Sequence, residues 1–148
     1  RRIGAALEYI RTRADVDAAK IAAIGYCFGG SMVLELARSG ADVKGVISFH
    51  GGLATPAPVT HPGTIKAAIQ IHHGAADPIV PPEEVAAFKA EMKAVDANWS
   101  MTQYPGAIHA FTQKNAGNDP STGVAYNAEA DRLSWEVTLN FLRETLMK

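Results

Sequence analysis

The sequence predicts an α/β protein built around a doubly wound, mostly parallel β-sheet. Short apolar runs of strand length, at residues 20–25, 43–49 and 67–72, alternate along the chain with stretches of helical periodicity. Parallel strands need crossover connections, and helices on both faces of the sheet leave its strands as unbroken apolar runs. The 148 residues, 47% of them hydrophobic, are enough for one domain over 1–148.

The helices are predicted from apolar spacing and from their end signals. Residues 3–13 form an amphipathic pattern, and a second pattern over 31–38 ends just before Gly40. A third helix over 82–95 has proline and acidic residues in its first turn, where the helix dipole favours negative charge. The last helix is expected within 125–146. Its predicted inward side chains are Trp135, Leu139, Leu142 and Leu146.

The strands and the long loop complete the pattern. The run at 20–25 is predicted to be a strand buried on both faces, and 98–104 is predicted to be a further strand. Residues 112–124 are rich in Gly, Asn, Pro, Ser and Thr, which predicts a loop. Sites in such sheets lie beyond the carboxyl ends of the strands, so a functional site is expected at these strand ends.

Composition excludes several classes of partner. The net charge is −1, from 14 basic and 15 acidic residues mixed along the chain, which gives no footprint for nucleic acid or for an anionic membrane. No apolar run approaches the length of about 20 residues that a membrane span needs. The single cysteine cannot form an internal disulfide, so we expect a cytoplasmic protein. The chain starts without Met and enters a helix pattern at once, so we also expect that it is a fragment.

Cys27 is a candidate nucleophile because of its local sequence. Residues 25–30 read GYCFGG, and they join a predicted strand directly to a predicted helix. This is the nucleophile-elbow pattern with cysteine in place of serine. Gly25 and Gly29 are expected to allow strand and helix to approach closely, and the helix N-terminus favours a thiolate. The pattern outweighs the usual interpretation of a lone cysteine as a buried, inert residue.

Two further strand ends carry an acid and a base. Asp77 follows the strand at 67–72, and His109 follows the strand at 98–104. Each residue alone is unremarkable, since Asp before Pro is usually a turn former. Together with Cys27 they occur in the order nucleophile, acid, histidine, each at a separate strand end, which is typical of hydrolase triads.

These motifs resemble the dienelactone hydrolase family of α/β hydrolases. The resemblance includes residues 25–30, the HGAAD sequence at 73–77, and YPGAIHAF at 104–111, and it extends over nearly the whole chain. It implies the C-terminal portion of an α/β-hydrolase fold and a triad of Cys27, His109 and Asp77. It also implies hydrolysis of small esters or lactones through an acyl-enzyme, without metal or cofactor.

The resemblance further implies how the oxyanion and the substrate are held. One oxyanion donor is expected to be the backbone N–H of Phe28, and the second belongs to a family segment that precedes the start of this chain. Family members carry an arginine one turn past the catalytic histidine to hold a substrate carboxylate, whereas this chain has Gln113. Dienelactone itself is therefore not the expected substrate. Without the preceding strands, an open sheet edge is expected to allow a dimer.

Other interpretations stay open. The same triad suits a thioesterase or another acyl hydrolase, and a non-catalytic hydrolase-like interaction module is the alternative from a different class. A metal site through His50, His72 and His73 with Asp77 is disfavoured, because adjacent strand residues point to opposite sides. Four aromatic residues are expected either to line an apolar pocket or to belong to the core: Phe28, Phe49, Phe111 and Tyr126.

Overall fold

The fold is a four-stranded parallel sheet with helices on both faces, as predicted. The computed structural model describes residues 2–147. Two 3₁₀ turns, Lys114–Ala116 and Pro120–Thr122, interrupt the predicted loop. The main elements are α1 (Arg2–Arg11), β1 (Ala22–Tyr26), α2 (Phe28–Arg38), β2 (Gly45–Phe49), β3 (Ala68–Gly74), α3 (Pro82–Ala94), β4 (Trp99–Tyr104) and α4 (Ala128–Leu146).

The strands lie side by side in chain order, β1-β2-β3-β4, and every neighbouring pair is parallel. The register places Tyr26 beside Phe49, and Phe49 beside His72. Because all four strands run the same way, their carboxyl ends meet at one edge of the sheet. The loops after β1, β3 and β4 therefore converge there.

Two hydrophobic clusters hold the layers together. On one face, Val46, Ile69 and Ile71 of the sheet belong to a cluster that includes buried side chains of α1, α2 and α3. On the other face, Ile47 and Phe49 belong to a second cluster, against which side chains of α4 pack. The apolar strand runs arise because β2 and β3 are covered on both faces.

The prediction for the inward face of α4 is wrong at Trp135. That side chain is 44% exposed, while the residues that α4 buries are Ala130, Ser134 and Thr138. Thr138 faces the sheet because its hydroxyl hydrogen-bonds Nε2 of the buried His72, at 2.9 Å. Apolar spacing alone did not reveal this polar contact between the helix and the sheet.

The prediction that β1 is buried on both faces is also wrong. Among residues 2–147, β1 has a strand neighbour on one side only, and Ile24 and Tyr26 are 38% and 41% exposed. The sequence did not show this exposure, because the apolar run of β1 resembles that of the interior strand β2.

No helix in the described part of the chain combines the length and the hydropathy that a membrane span requires.

Candidate active site

Cys27 occupies a sharp turn between β1 and α2. Its φ of 51° lies in the left-handed region, which a residue with a side chain seldom adopts. Its N–H donates to the carbonyl of Phe49 on the next strand at 3.0 Å, and its carbonyl accepts from Ser31 in α2 at 3.2 Å. Helix α2 begins at Phe28, three residues earlier than predicted, so the thiol lies at the helix N-terminus.

The glycines around Cys27 have different roles. A Cβ on Gly25 would lie 2.0 Å from the carbonyl oxygen of Gly29, and a Cβ on Gly30 would lie 2.6 Å from Oγ of Ser48. A Cβ on Gly29 would meet nothing within 4 Å. The prediction that Gly29 is needed for close approach is therefore wrong, because its missing side chain would point into open space. Gly25 and Gly30 are the positions where the turn requires glycine.

Asp77 lies on the loop after β3 with its side chain fully buried. Its Oδ1 accepts hydrogen bonds from the N–H of Ile79 at 2.8 Å and of Val80 at 3.3 Å. Its Oδ2 is 2.9 Å from Nδ1 of His109. The loop thus fixes the carboxyl group and leaves one oxygen for the histidine.

His109 lies on the loop after β4 and joins the other two residues. Its Nε2 is 3.2 Å from Sγ of Cys27, and its Nδ1 contacts Asp77. The carbonyl of His109 accepts from the N–H of Ala125 at 3.1 Å, which ties the histidine to the end of the long loop. The structure therefore brings all three predicted residues into one hydrogen-bonded row, Cys27–His109–Asp77.

The environment of this row favours an ion pair between thiolate and imidazolium. The hydrogen bond with His109 lowers the pKa of Cys27, although burial opposes it. The hydrogen bond with Asp77 is the main reason that the pKa of His109 rises to about 8. Burial opposes ionisation of Asp77, yet its pKa is lowered because His109 and the N–H groups of Ile79 and Val80 together outweigh the burial.

Phe28 follows the cysteine as the first residue of α2. Its backbone N–H interacts with the Cys27 sulfur, and this contact also lowers the pKa of Cys27. Its aromatic ring is 72% exposed, whereas Phe49 and Phe111 are buried in the core. For these two residues the core interpretation is therefore the correct one. Gln113 is an exposed residue of the loop that follows the histidine.

His50, which the sequence predicts to pack a loop around the site, lies beside the row. It is 1% exposed, its ring meets the His109 ring edge to face at 5.3 Å, and its Nε2 is 2.8 Å from Oγ1 of Thr112. Burial lowers the pKa of His50 to about 4, so a neutral ring faces His109. Its position at the end of β2 was the available signal.

His72 and His73 point to opposite sides of β3. Nε2 of His72 contacts Gln70 and Thr138, and its Nδ1 is 2.8 Å from the Tyr104 hydroxyl. Since Gln70 offers an oxygen there, Nε2 carries the proton and Nδ1 accepts from Tyr104. Burial lowers the pKa of His72 to about 4. Within the described residues, no group of three or more His, Cys, Asp or Glu could hold a metal ion.

Comparison with known proteins identifies the family. The model of the dienelactone hydrolase family matches residues 1–146. The chain belongs to the dienelactone hydrolase family. An uncharacterized protein of Caenorhabditis elegans is 37% identical over 144 residues, which are 97% of this chain and 91% of that protein.

Other members of the dienelactone hydrolase family are longer than this chain. The structure of a dienelactone hydrolase-like promiscuous phosphotriesterase from metagenomic libraries is 38% identical, with a TM-score of 0.88. The match covers 97% of this chain and 60% of that one. A Synechocystis relative, provisionally named carboxymethylenebutenolidase, is 29% identical over 89% of this chain and 53% of its own length. The chain thus spans between half and two thirds of these two relatives.

Proposed function

We propose that this protein hydrolyses small carboxylic esters or lactones with Cys27 as the nucleophile. The observation that carries the proposal is the continuous row from Sγ of Cys27 through His109 to Asp77, with contacts of 3.2 and 2.9 Å. A nucleophile, a base and a group that orients the base are the parts that covalent acyl transfer needs. Membership of the dienelactone hydrolase family supports the same chemistry.

In the first half of the proposed reaction, the thiolate of Cys27 attacks the ester carbonyl carbon. A C–S bond forms, the carbonyl π electrons move to oxygen, and the tetrahedral oxyanion then collapses as the C–O bond to the alcohol breaks. His109 gives its Nε2 proton to the departing alkoxide. Asp77 keeps the imidazole oriented and stabilises its charged form without taking a proton.

In the second half, His109 is neutral and acts as a general base. Water loses a proton to Nε2 and attacks the thioester carbon, the C–S bond breaks, and the carboxylic acid leaves. The N–H of Phe28 is the proposed oxyanion donor in both halves, because it belongs to the residue that follows the nucleophile at the start of α2. One such donor typically contributes about 10²–10³ in rate.

The proposal is tested with p-nitrophenyl acetate as substrate. Cys27→Ala and His109→Ala are each expected to lower kcat/KM by at least about 10³-fold, because removing one member of a triad disables the whole unit. His61→Ala is the matched control, since His61 is exposed and far in sequence from the row. Activity retained in Cys27→Ala, with unfolding temperature unchanged, would rule out the proposed nucleophile.

Phosphotriester hydrolysis is a second candidate activity, favoured by the 38% identical phosphotriesterase relative. The thiolate of Cys27 would attack phosphorus and expel an aryloxide, and water would then break the P–S bond. Paraoxon is the appropriate probe, because each turnover releases one p-nitrophenolate. A single burst of about one equivalent without turnover would indicate that water does not reach the phosphorylated thiol.

The cytoplasm is the compartment that suits this chemistry. The proposed nucleophile is the chain's single cysteine, and it must stay a free thiol to react. Reducing compartments maintain such thiols, whereas oxidising ones cap or pair them. We therefore propose a cytoplasmic enzyme acting on a small-molecule ester.

A further inference from the structure

A cavity lies behind Asp77, on the face of the sheet that α3 covers. Its volume is about 270 Å³, and neither Cys27 nor His109 lines it. His73 and Gln103 form its floor as register partners on β3 and β4, so their side chains share one face. The cavity is therefore distinct from the Cys27–His109–Asp77 row, although Asp77 forms part of its wall.

One side of the cavity is apolar and the other is polar. Its wall on α3 comprises residues spaced by three and four positions, which places them on a single face of the helix. Three of the four are apolar, and the fourth is a lysine. These residues are Pro82, Val85, Ala86 and Lys89. Val80 and Ala75 continue the apolar side.

His73 is the buried polar group of this cavity. The residue is 4% exposed, its ring lines the cavity, and its Nδ1 has no hydrogen-bond partner among residues 2–147. Burial is the main reason that its pKa is lowered, so the ring is neutral and carries one N–H. Buried polar groups normally have partners. The buried Nδ1, which has no partner within the described residues, is therefore an unusual feature of this ring.

The cavity wall carries a cation, Lys89, while the carboxylates of Asp77 and Glu84 also act on His73. Lys89 forms no ion pair with any carboxylate in the described part of the chain. The Asp77 carboxyl group is fully buried, and both of its oxygens already accept hydrogen bonds, so it offers no acceptor to a cation. Lys89, Gln103 and His73 all carry N–H donors.

We propose that this cavity is a second binding site, which takes a small carboxylate with a short hydrocarbon chain. The carboxylate contacts Lys89, Gln103 and the His73 ring, and the hydrocarbon packs against Val85 and its apolar neighbours. An inorganic anion would use the donors but would leave the apolar wall uncovered. Short carboxylates are also what the proposed function releases, so a role as a product site rests on that function, whereas the binding does not.

Titration with sodium butyrate tests the site on protein that is not turning over. The readout is the imidazole chemical shift of His73 in protein labelled at histidine, at constant ionic strength. We expect a saturable shift with a Kd of about 1–10 mM, which is reasonable for a ligand of this size. Lys89→Met is expected to weaken binding at least about tenfold, because it removes the charge but keeps the side-chain length.

Lys93→Met, one turn further along α3 and outside the cavity, is the matched control and is expected to leave the Kd unchanged. Butanol, which lacks the charge, and inorganic phosphate, which lacks the hydrocarbon, are each expected to bind at least about tenfold more weakly. The proposal is overturned if butyrate gives no saturable shift at His73, if Lys89→Met binds it equally well, or if phosphate binds as tightly. None of these readouts depends on esterase activity.

Discussion

Cys27 combines a strained backbone with a favourable electrostatic environment. Its left-handed φ of 51° costs free energy of the order of 1–3 kcal/mol, and the surrounding contacts must offset it. The conformation points the thiol at Nε2 of His109, and Asp77 holds that ring from behind. The reactivity proposed for this residue therefore depends on its position rather than on the cysteine itself.

The pH dependence of the proposed reaction reports on Asp77. The attacking form needs thiolate and imidazolium, so kcat/KM is expected to fall as pH rises above the His109 pKa of about 8. Asp77→Asn removes the main cause of that raised pKa, so the upper limb moves to lower pH and the rate drops by about 10²–10⁴-fold. The measurement is the pH profile of p-nitrophenyl acetate hydrolysis. An upper limb that stays in place would show that Asp77 does not act on His109.

Alanine substitutions at Gly25 and Gly29 are expected to change the stability of the fold in opposite directions. Gly25→Ala forces a Cβ into the backbone of α2 and is expected to destabilise the fold by about 3 kcal/mol or more. Gly29→Ala meets open space within the first turn of the helix, and is expected to raise stability by about 0.5–1 kcal/mol. Urea unfolding measures both. Equal destabilisation by the two variants would contradict the described packing.

At the scale of elements, α2 and α3 are joined by a buried ion pair. Arg38 of α2 makes two contacts with Glu91 of α3, at 3.1 and 2.8 Å, and both side chains are at least nine-tenths buried. Arg38 also contacts Glu35, which is about one third exposed, and Glu91 accepts from the N–H of Val59. The ion pair thus connects α2, whose first residue follows Cys27, with α3 and with the loop after β2.

Breaking the Arg38–Glu91 ion pair is expected to lower the free energy of unfolding more than breaking the partly exposed Arg38–Glu35 contact. Glu91→Ala leaves the Arg38 guanidinium buried without its main partner, at a cost of about 3–5 kcal/mol. Glu35→Ala removes the partly exposed contact of the same arginine, and about 1 kcal/mol or less is expected. Thermal or urea unfolding compares the two variants. If both variants lost a similar amount of unfolding free energy, burial of Glu91 would not determine the strength of its contact with Arg38.

The sequence was sufficient for the order and type of the elements, because each apolar run and helix pattern reflects burial on one or two faces. It did not reveal the rotation of α4, since Thr138 faces the core through a hydrogen bond with His72. It also placed Cys27, Asp77 and His109 at three strand ends. The sequence indicated that His50 packs near the site, but it did not reveal the contact with the His109 ring. Contacts between loops depend on three-dimensional packing and leave no spacing pattern.

The sheet of the whole molecule has two edge strands within the described residues, β1 and β4. The β1 edge has unpaired backbone groups beside partly exposed Ile24 and Tyr26. Exposed edges of this kind pair readily with another chain.

Self-association of the chain is therefore expected to depend on the β1 edge. Light scattering should show an average mass that rises with concentration, and Ile24→Lys should lower it, because a lysine at an edge opposes strand pairing. Val137→Lys, on the exposed surface of α4, is the matched control and should change little. A chain that remains monomeric at all concentrations would contradict the prediction.

The central claim is that Cys27 forms a covalent acyl-enzyme. The most direct measurement is mass spectrometry of the protein quenched in acid within the first turnovers of p-nitrophenyl acetate, followed by mapping of the modified peptide. We expect one acetyl group on Cys27, with greater accumulation in His109→Ala if that variant still acylates, because deacylation needs the base. Turnover at the full rate with no acetyl group on Cys27 at any time would contradict it.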